Sequence, residues 1–340
     1  MKLPIDPGFP LSGEDVPFLP LIEKTVARPV FIMGLHRSGT TFLYDSLARC
    51  FPLANLSLYH LFYYDRLLKN HVQGGESRDR QRLNMLFRRL GITDRKLDAV
   101  YVDDRMVEEY GWMLRNHSFS MKVTSHNQAF LHEVCRKLQV VTPGAQAVLL
   151  KNPWDTGNAR NILKWFPNAR FIYITRDPLY ILNSQINAVV SLLSGSQPFQ
   201  TLLIDNFKTL FGKRSLSAVY AGWKLLRGIK IVMGNRPFEA VIRPFAAMAV
   251  EHQLAAYYRD LEELPPQSVY ALDYQSFNER PATHLRELAA FLDLPFVSDP
   301  DTVKPQPRKG HLKSPLQDYE PRFMKRLKRR IPQLSRQPRP

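Results

Sequence analysis

A chain of 340 residues with 44% hydrophobic and 11% aromatic residues has the composition of a folded globular protein, which excludes a disordered or fibrous one. With Cys50 and Cys135 as its only cysteines, it has neither a disulfide framework nor a cysteine-built zinc site. The net charge of +16 is uneven: residues 304–340 hold twelve Lys/Arg against Asp318 and Glu320, which argues for a basic tail and against a nucleic-acid-binding face spread over the whole protein.

Residues 1–27 read as an extended, proline-rich lead-in without the charged-apolar-small order of a secretory leader. No run approaches the roughly 18 apolar residues of a spanning helix. A cytoplasmic enzyme is therefore expected. Residues 30–33 form a short apolar strand, followed by a turn bounded by Gly34 and Gly39. Phe42, Leu43, Ser46 and Leu47 then recur at helical spacing. Residues 55–64 read as a short strand running into a turn or helix, 78–90 as an amphipathic helix, and 107–114 and 129–141 as helices. The strand 147–150 ends in Lys151-Asn152-Pro153, and a helix over 158–166 follows. The strand 170–175 ends in Arg176-Asp177-Pro178 and leads into a helix to about Leu193. An apolar loop over 195–214 precedes long helices at 218–232 and 246–264. A strand at 268–273, a helix at 281–292 and a last helix at 323–330 complete the order. Apolar strands alternating with helices predict an α/β fold, a three-layer arrangement of one parallel sheet with helical insertions. One domain over 28–303 is expected, followed by the basic tail 304–340.

The turn after the first strand nearly matches the phosphate-binding pattern G-x-x-x-x-G-K-[ST]. Strand, glycine turn and helix together aim backbone N–H groups and a helix N-terminus at a phosphate. Thr40 stands where that pattern has lysine, and the cation lies inside the loop at Arg37. Such a loop suits a single 5′-phosphate, with Arg37 beside the group attached to it. Lys151 closes a buried strand, where ligand sites of open α/β sheets lie. Arg176 closes the next one, and Ser184 follows two helical turns later. Together they suit a further phosphate. Asp177 reads as a helix N-cap.

The run Leu150-Lys151-Asn152-Pro153, then Phe166-Pro167-Asn168-Ala169-Arg170-Phe171-Ile172, then Arg176-Asp177-Pro178 and Ser184, after Gly34-Leu35-His36-Arg37-Ser38-Gly39-Thr40-Thr41, resembles sulfotransferases that use 3′-phosphoadenosine 5′-phosphosulfate. The likeness is greatest to the bacterial and tyrosylprotein-type branch of these P-loop enzymes. It extends over 269–274, similar to the family's late strand ending in a cofactor-contacting tyrosine, here Tyr274. The resemblance implies that Gly34, His36, Arg37, Ser38, Gly39, Thr40 and Thr41 hold the 5′-phosphosulfate and that Arg176 and Ser184 hold the 3′-phosphate. Arg308-Lys309-Gly310 is similar to a further 3′-phosphate turn of cytosolic members. It also implies transfer of a sulfuryl group to a hydroxylated acceptor, whether sugar, lipid, metabolite or peptidyl tyrosine, with no metal expected.

Sulfuryl transfer, like phosphoryl transfer, asks the protein to position reactants and to meet spreading negative charge; Arg37 and Lys151 are the cations for that task. The acceptor's proton needs a base. Where tyrosylprotein-type relatives have glutamate, this chain has Leu58-Tyr59-His60, and His60 is the expected base. His36 is the rival, and Glu108 and Glu109 are further candidates. On the residues alone two other readings stay open: a P-loop nucleotide or small-molecule kinase, and a non-catalytic basic protein that docks on membrane or nucleic acid. No specific nucleic acid is expected. The stretch 323–330 (FMKRLKRR) suits peripheral contact with anionic membrane, or equally a flexible solubilising tail.

Overall fold

The computed structural model describes residues 9–10, 12–95, 100–194, 198–203, 217–307 and 319–335. Five strands, β1 (Pro29–Met33), β2 (Leu53–Asn55), β3 (Ala147–Lys151), β4 (Arg170–Thr175) and β5 (Val269–Asp273), form one parallel sheet in the order β2-β3-β1-β4-β5. Every residue of β1 and β3 is buried. That is the signature of a parallel sheet covered by helices on both faces, and it explains why these strands read as unbroken apolar runs.

The described residues divide into two compact units, 1–28, 54–150 and 188–238 in the first and 29–53, 151–187 and 239–340 in the second. In the second, β1 pairs parallel with β4, Val30 opposite Arg170 and Met33 opposite Tyr173. β4 pairs parallel with β5, Phe171 opposite Val269 and Thr175 opposite Asp273. This register brings the chain out of all three strands at one edge, where Gly34, Arg176 and Tyr274 come next in sequence. Phe31 anchors the layer beneath, stacked on Phe171 at 5.5 Å and edge-on to Phe166 at 5.9 Å.

The first unit is mostly helical, with Leu67–Gln73, Glu76–Arg89, Gly111–Ser118, Gln128–Val141 and Ser217–Met233 its main helices. The lead-in differs from the extended form expected of it. Its described part makes turns at Val16–Phe18 and Pro20–Glu23. Glu14 accepts from Arg66 at 2.7 Å and from Lys69 at 2.9 Å, and buried Asp15 pairs with buried Lys137 at 3.0 Å. These ion pairs pin the segment down.

Three other elements depart from expectation. The second strand ends at Asn55 and residues 58–62 are helical, because Ser57 caps that helix. The helix expected from Val107 starts at Gly111, because Val107 instead bridges Ser57 in an antiparallel contact. The helix expected from Ala246 is the 29-residue Asn235–Glu263 and contains Pro244. In the apolar stretch after 190, Leu193, Phe199, Leu202 and Leu203 are buried core residues; 195–197 and 204–216 lie outside the described residues. Among the described residues no helix is long and apolar enough to cross a membrane.

Candidate active site

The turn that follows β1 is shaped by close neighbours. A Cβ on Gly34 would stand 2.5 Å from the Ile174 carbonyl oxygen. Gly39 has φ +103°, and a Cβ there would meet the Tyr274 ring at 2.1 Å. Both positions need glycine for these approaches. Between them Arg37 sits at φ 74°, a left-handed conformation that costs a non-glycine residue roughly 1–3 kcal/mol and tends to occur at ligand clamps. Ser38 is fully buried, and its Oγ has no hydrogen-bond partner among the described residues. Gly39 then caps the Thr40–Cys50 helix, whose first backbone N–H groups have no acceptor within the helix.

Three cations stand around this turn and its neighbours. Lys151, at the end of β3, is 3% exposed, and its Nζ lies 3.5 Å from Thr41 Oγ1. It pairs with no carboxylate among the described residues. A buried ammonium without a counter-ion is costly, so packing does not explain it. Arg37 Nε donates to Ser184 Oγ at 2.9 Å, which joins two residues that the sequence assigned to different phosphates. Arg176 lies 4.6 Å from the centre of the Tyr274 ring and 5.2 Å from that of Tyr180. These stacking contacts orient its guanidinium, and it too has no carboxylate partner among the described residues. Asp177 Oδ1 accepts Leu179 N–H at 2.8 Å, the helix cap read from its sequence context. Arg308, Lys309 and Gly310 lie outside the described residues.

Several residues that hold the turn were not read from the sequence. Thr156 Oγ1 accepts Gly34 N–H at 3.3 Å and donates to Gly34 O at 3.0 Å, clamping the start of the loop from both sides. Gln185 Nε2 donates to the His36 carbonyl at 3.2 Å. The His36 ring packs edge-on to Trp154 at 5.1 Å, with its Nε2 enclosed. Behind Thr156, Asp260 Oδ2 accepts Gly157 N–H at 2.8 Å and Tyr173 O–H at 2.6 Å. Burial raises the Asp260 carboxyl above its ordinary range, opposed by these donors. Gln185 adjoins Ser184 and was within reach of the motif. Nothing in the sequence ties Thr156 or Asp260 to residue 34.

His60 belongs to the first unit, and it is buried, not a surface side chain. Ser57 and His60 form a capping box. Ser57 N–H donates to His60 Nδ1 at 3.1 Å, which places the neutral ring's own proton on Nε2. Burial, assisted by Arg80, lowers its pKa to about 3. The ring thus stays neutral at physiological pH and offers a donor at Nε2, the reverse of what a base needs. Glu108 has lone pairs to offer. It is 4% exposed, its backbone N–H donates to Leu56 O at 3.1 Å, and Oε2 is 4.0 Å from Arg95 Nη1.

Residues 29–229 match the family model described as "Sulfotransferase family". The crystal structure of sulfotransferase STF9 from Mycobacterium avium is similar with a TM-score of 0.59 and 16% identity, over 92% of this chain and 80% of that one. Sulfotransferase STF1 from Mycobacterium tuberculosis H37Rv is similar with a TM-score of 0.55 and 14% identity, over 94% and 80%. At these identities the two structures speak to the fold. No curated protein matches the sequence.

Proposed function

The chain belongs to the sulfotransferase family, and from that premise we propose that it uses 3′-phosphoadenosine 5′-phosphosulfate to sulfate a hydroxyl group. The observation that carries this reading is Lys151, buried, without a carboxylate, and 3.5 Å from Thr41 at the end of the glycine loop. A cation so placed calls for an anionic ligand. The orphaned Ser38 Oγ fits the same group. When bound, the donor supplies an SO3 group on a phosphate leaving group.

The protein's part is to bind and to meet charge. Backbone N–H groups of 39–41, at the helix N-terminus, take the 5′-phosphate. Lys151 and Arg37 face the oxygens on which charge grows as the sulfur–oxygen bond breaks. Lys151 thereby does from the end of β3 what the absent loop lysine at position 40 does in ATP-binding loops. Ser184 accepts from Arg37 and so keeps its own O–H to donate to the 3′-phosphate beside Arg176. The rings of Tyr274 and Tyr180 orient Arg176. For the acceptor's proton we favour Glu108 on the chemistry of the candidate groups alone: His60 carries its proton on Nε2, His36 Nε2 is enclosed, and a carboxylate has lone pairs to accept one. The kinase and docking-only readings give way to the family.

Adenosine 3′,5′-bisphosphate without metal should raise the melting temperature, and Arg176→Ala should remove most of that rise. Stabilisation by ATP with Mg²⁺ and none by the bisphosphate would overturn the donor. Glu108→Gln should cut turnover without changing bisphosphate affinity. A normal rate in Glu108→Gln with a loss in His60→Ala would return the base to His60.

A further inference from the structure

The last described helix, Glu320–Arg330, is neither a free tail nor fully absorbed by packing. Phe323 and Leu327 are completely buried and Ile331 nearly so, one turn apart along a single face. The helix runs alongside Asn235–Glu263 within the second unit. Arg243 stacks at 6.0 Å on Tyr319, Glu251 pairs with Arg326 at 2.6 Å and Arg330 at 3.5 Å, and Glu262 accepts from Gln333.

That arrangement leaves two outward rows. On the shorter helix Arg322, Lys325, Lys328 and Arg329 are exposed, and none has an acidic partner among the described residues. On the longer helix Val241, Phe245 and Met248 are 50%, 65% and 57% exposed. Their spacing of four and three puts them in one stripe, roughly 60–120° around the helix from Glu251, the residue that receives the shorter helix. His252 and Arg259 continue the exposed row. An apolar stripe bordered by unneutralised cations is the composition of an interfacial surface, in which apolar side chains enter the headgroup boundary and cations meet anionic lipid. A second copy of this chain would set like charges face to face, and nucleic acid would leave the apolar stripe in water.

We propose that this face, the Val241–Phe245–Met248 stripe with the outer side of the Glu320–Arg330 helix, docks the protein peripherally on an anionic lipid surface. The contact is independent of the sulfuryl-transfer reading, since none of these residues belongs to the candidate active site.

Sedimentation with phosphatidylcholine vesicles, with and without phosphatidylserine, tests it on the full chain. Wild type should partition onto the anionic vesicles and leave them in high salt. The double variant Lys325→Ala/Arg329→Ala should lower that partition about 30-fold, and Phe245→Ser should lower it about tenfold. All these side chains are exposed, so the melting temperature and bisphosphate affinity should stay as in wild type. Equal binding to both vesicle types, or full binding by the double variant, would overturn the proposal. So would a concentration-dependent dimer in sedimentation velocity that Phe245→Ser dissolves, because the stripe would then belong to a second copy.

Discussion

Lys151 sets stability against activity. A buried ammonium that pairs with no carboxylate among the described residues destabilises the fold. On the proposed function its position 3.5 Å from Thr41 serves an incoming anion. Lys151→Met keeps the volume and removes the charge, so it should stabilise the free protein by about 1 kcal/mol or more while lowering turnover roughly 10²–10³-fold. Thermal melting and steady-state assay read the two effects separately. A fall in both would make Lys151 a structural residue. Gly39→Ala should act in the opposite sense on the fold: its Cβ would meet the Tyr274 ring at 2.1 Å and its φ is +103°, so both melting temperature and nucleotide affinity should fall, and Tyr274→Ala in the same chain should restore part of the affinity. The positions of Arg37, Lys151 and Arg176 around the loop could be read ahead because a cation just beyond an apolar strand has few structural reasons to be there, while the Arg37–Ser184 contact could not. The burial of His60 and its contact with Ser57 were not readable, because which ring nitrogen accepts depends on the cap and residue type does not carry that information.

At the scale of elements, the strands were the most legible part. The runs at 30–33, 147–150, 170–175 and 268–273 lie within a residue or so of β1, β3, β4 and β5; β1 and β3 are buried throughout and have no alternation to blur, whereas β5 is largely uncovered. The Asn235–Glu263 helix was read short, and an interior proline does cost about 3 kcal/mol, yet the helix continues through Pro244, with Ala247 and Val250 buried on its inner side. That helix also reaches back to the glycine loop. Asp260 accepts from Gly157 and Tyr173, and the neighbouring Thr156 clamps Gly34. Asp260→Ala would leave these donors buried and unmet, at roughly 2–4 kcal/mol, and should raise KM for the donor through the loosened loop. Asp260→Asn keeps an acceptor oxygen and should leave KM near wild type. The pH dependence follows from the raised carboxyl. Protonation favours the folded form, so this stabilising contribution is full below about pH 3.9 and is lost as pH rises through the higher folded value. The melting temperature of Asp260→Asn should therefore gain on wild type across that window, and a gap independent of pH would deny the raised carboxyl.

Over the whole molecule, charge says where the chain meets its surroundings only after packing has claimed its share. The excess of cations in 304–340 was plain in the sequence, but two readings of it, a solvated tail and a docking segment, were equally compatible with composition. The fold separates them by residue. Arg326 and Arg330 compensate Glu251, which is 5% exposed, and so serve the fold, whereas Lys325 and Arg329 face outward. The hydrophobic positions count against a free tail: Phe323 and Leu327 are as enclosed as any core residue, and a solubilising tail has no use for them. Leu327→Asp would place a charge in that seam, and the group must either be buried unpaired or pull the helix away. Either route should cost on the order of 3 kcal/mol and lower the melting temperature by several degrees, while Lys325→Ala/Arg329→Ala leaves it unchanged. An unaltered melting curve for Leu327→Asp would mean that the helix is not docked in solution, and the outward rows would then lose the rigid alignment that gives them a common face.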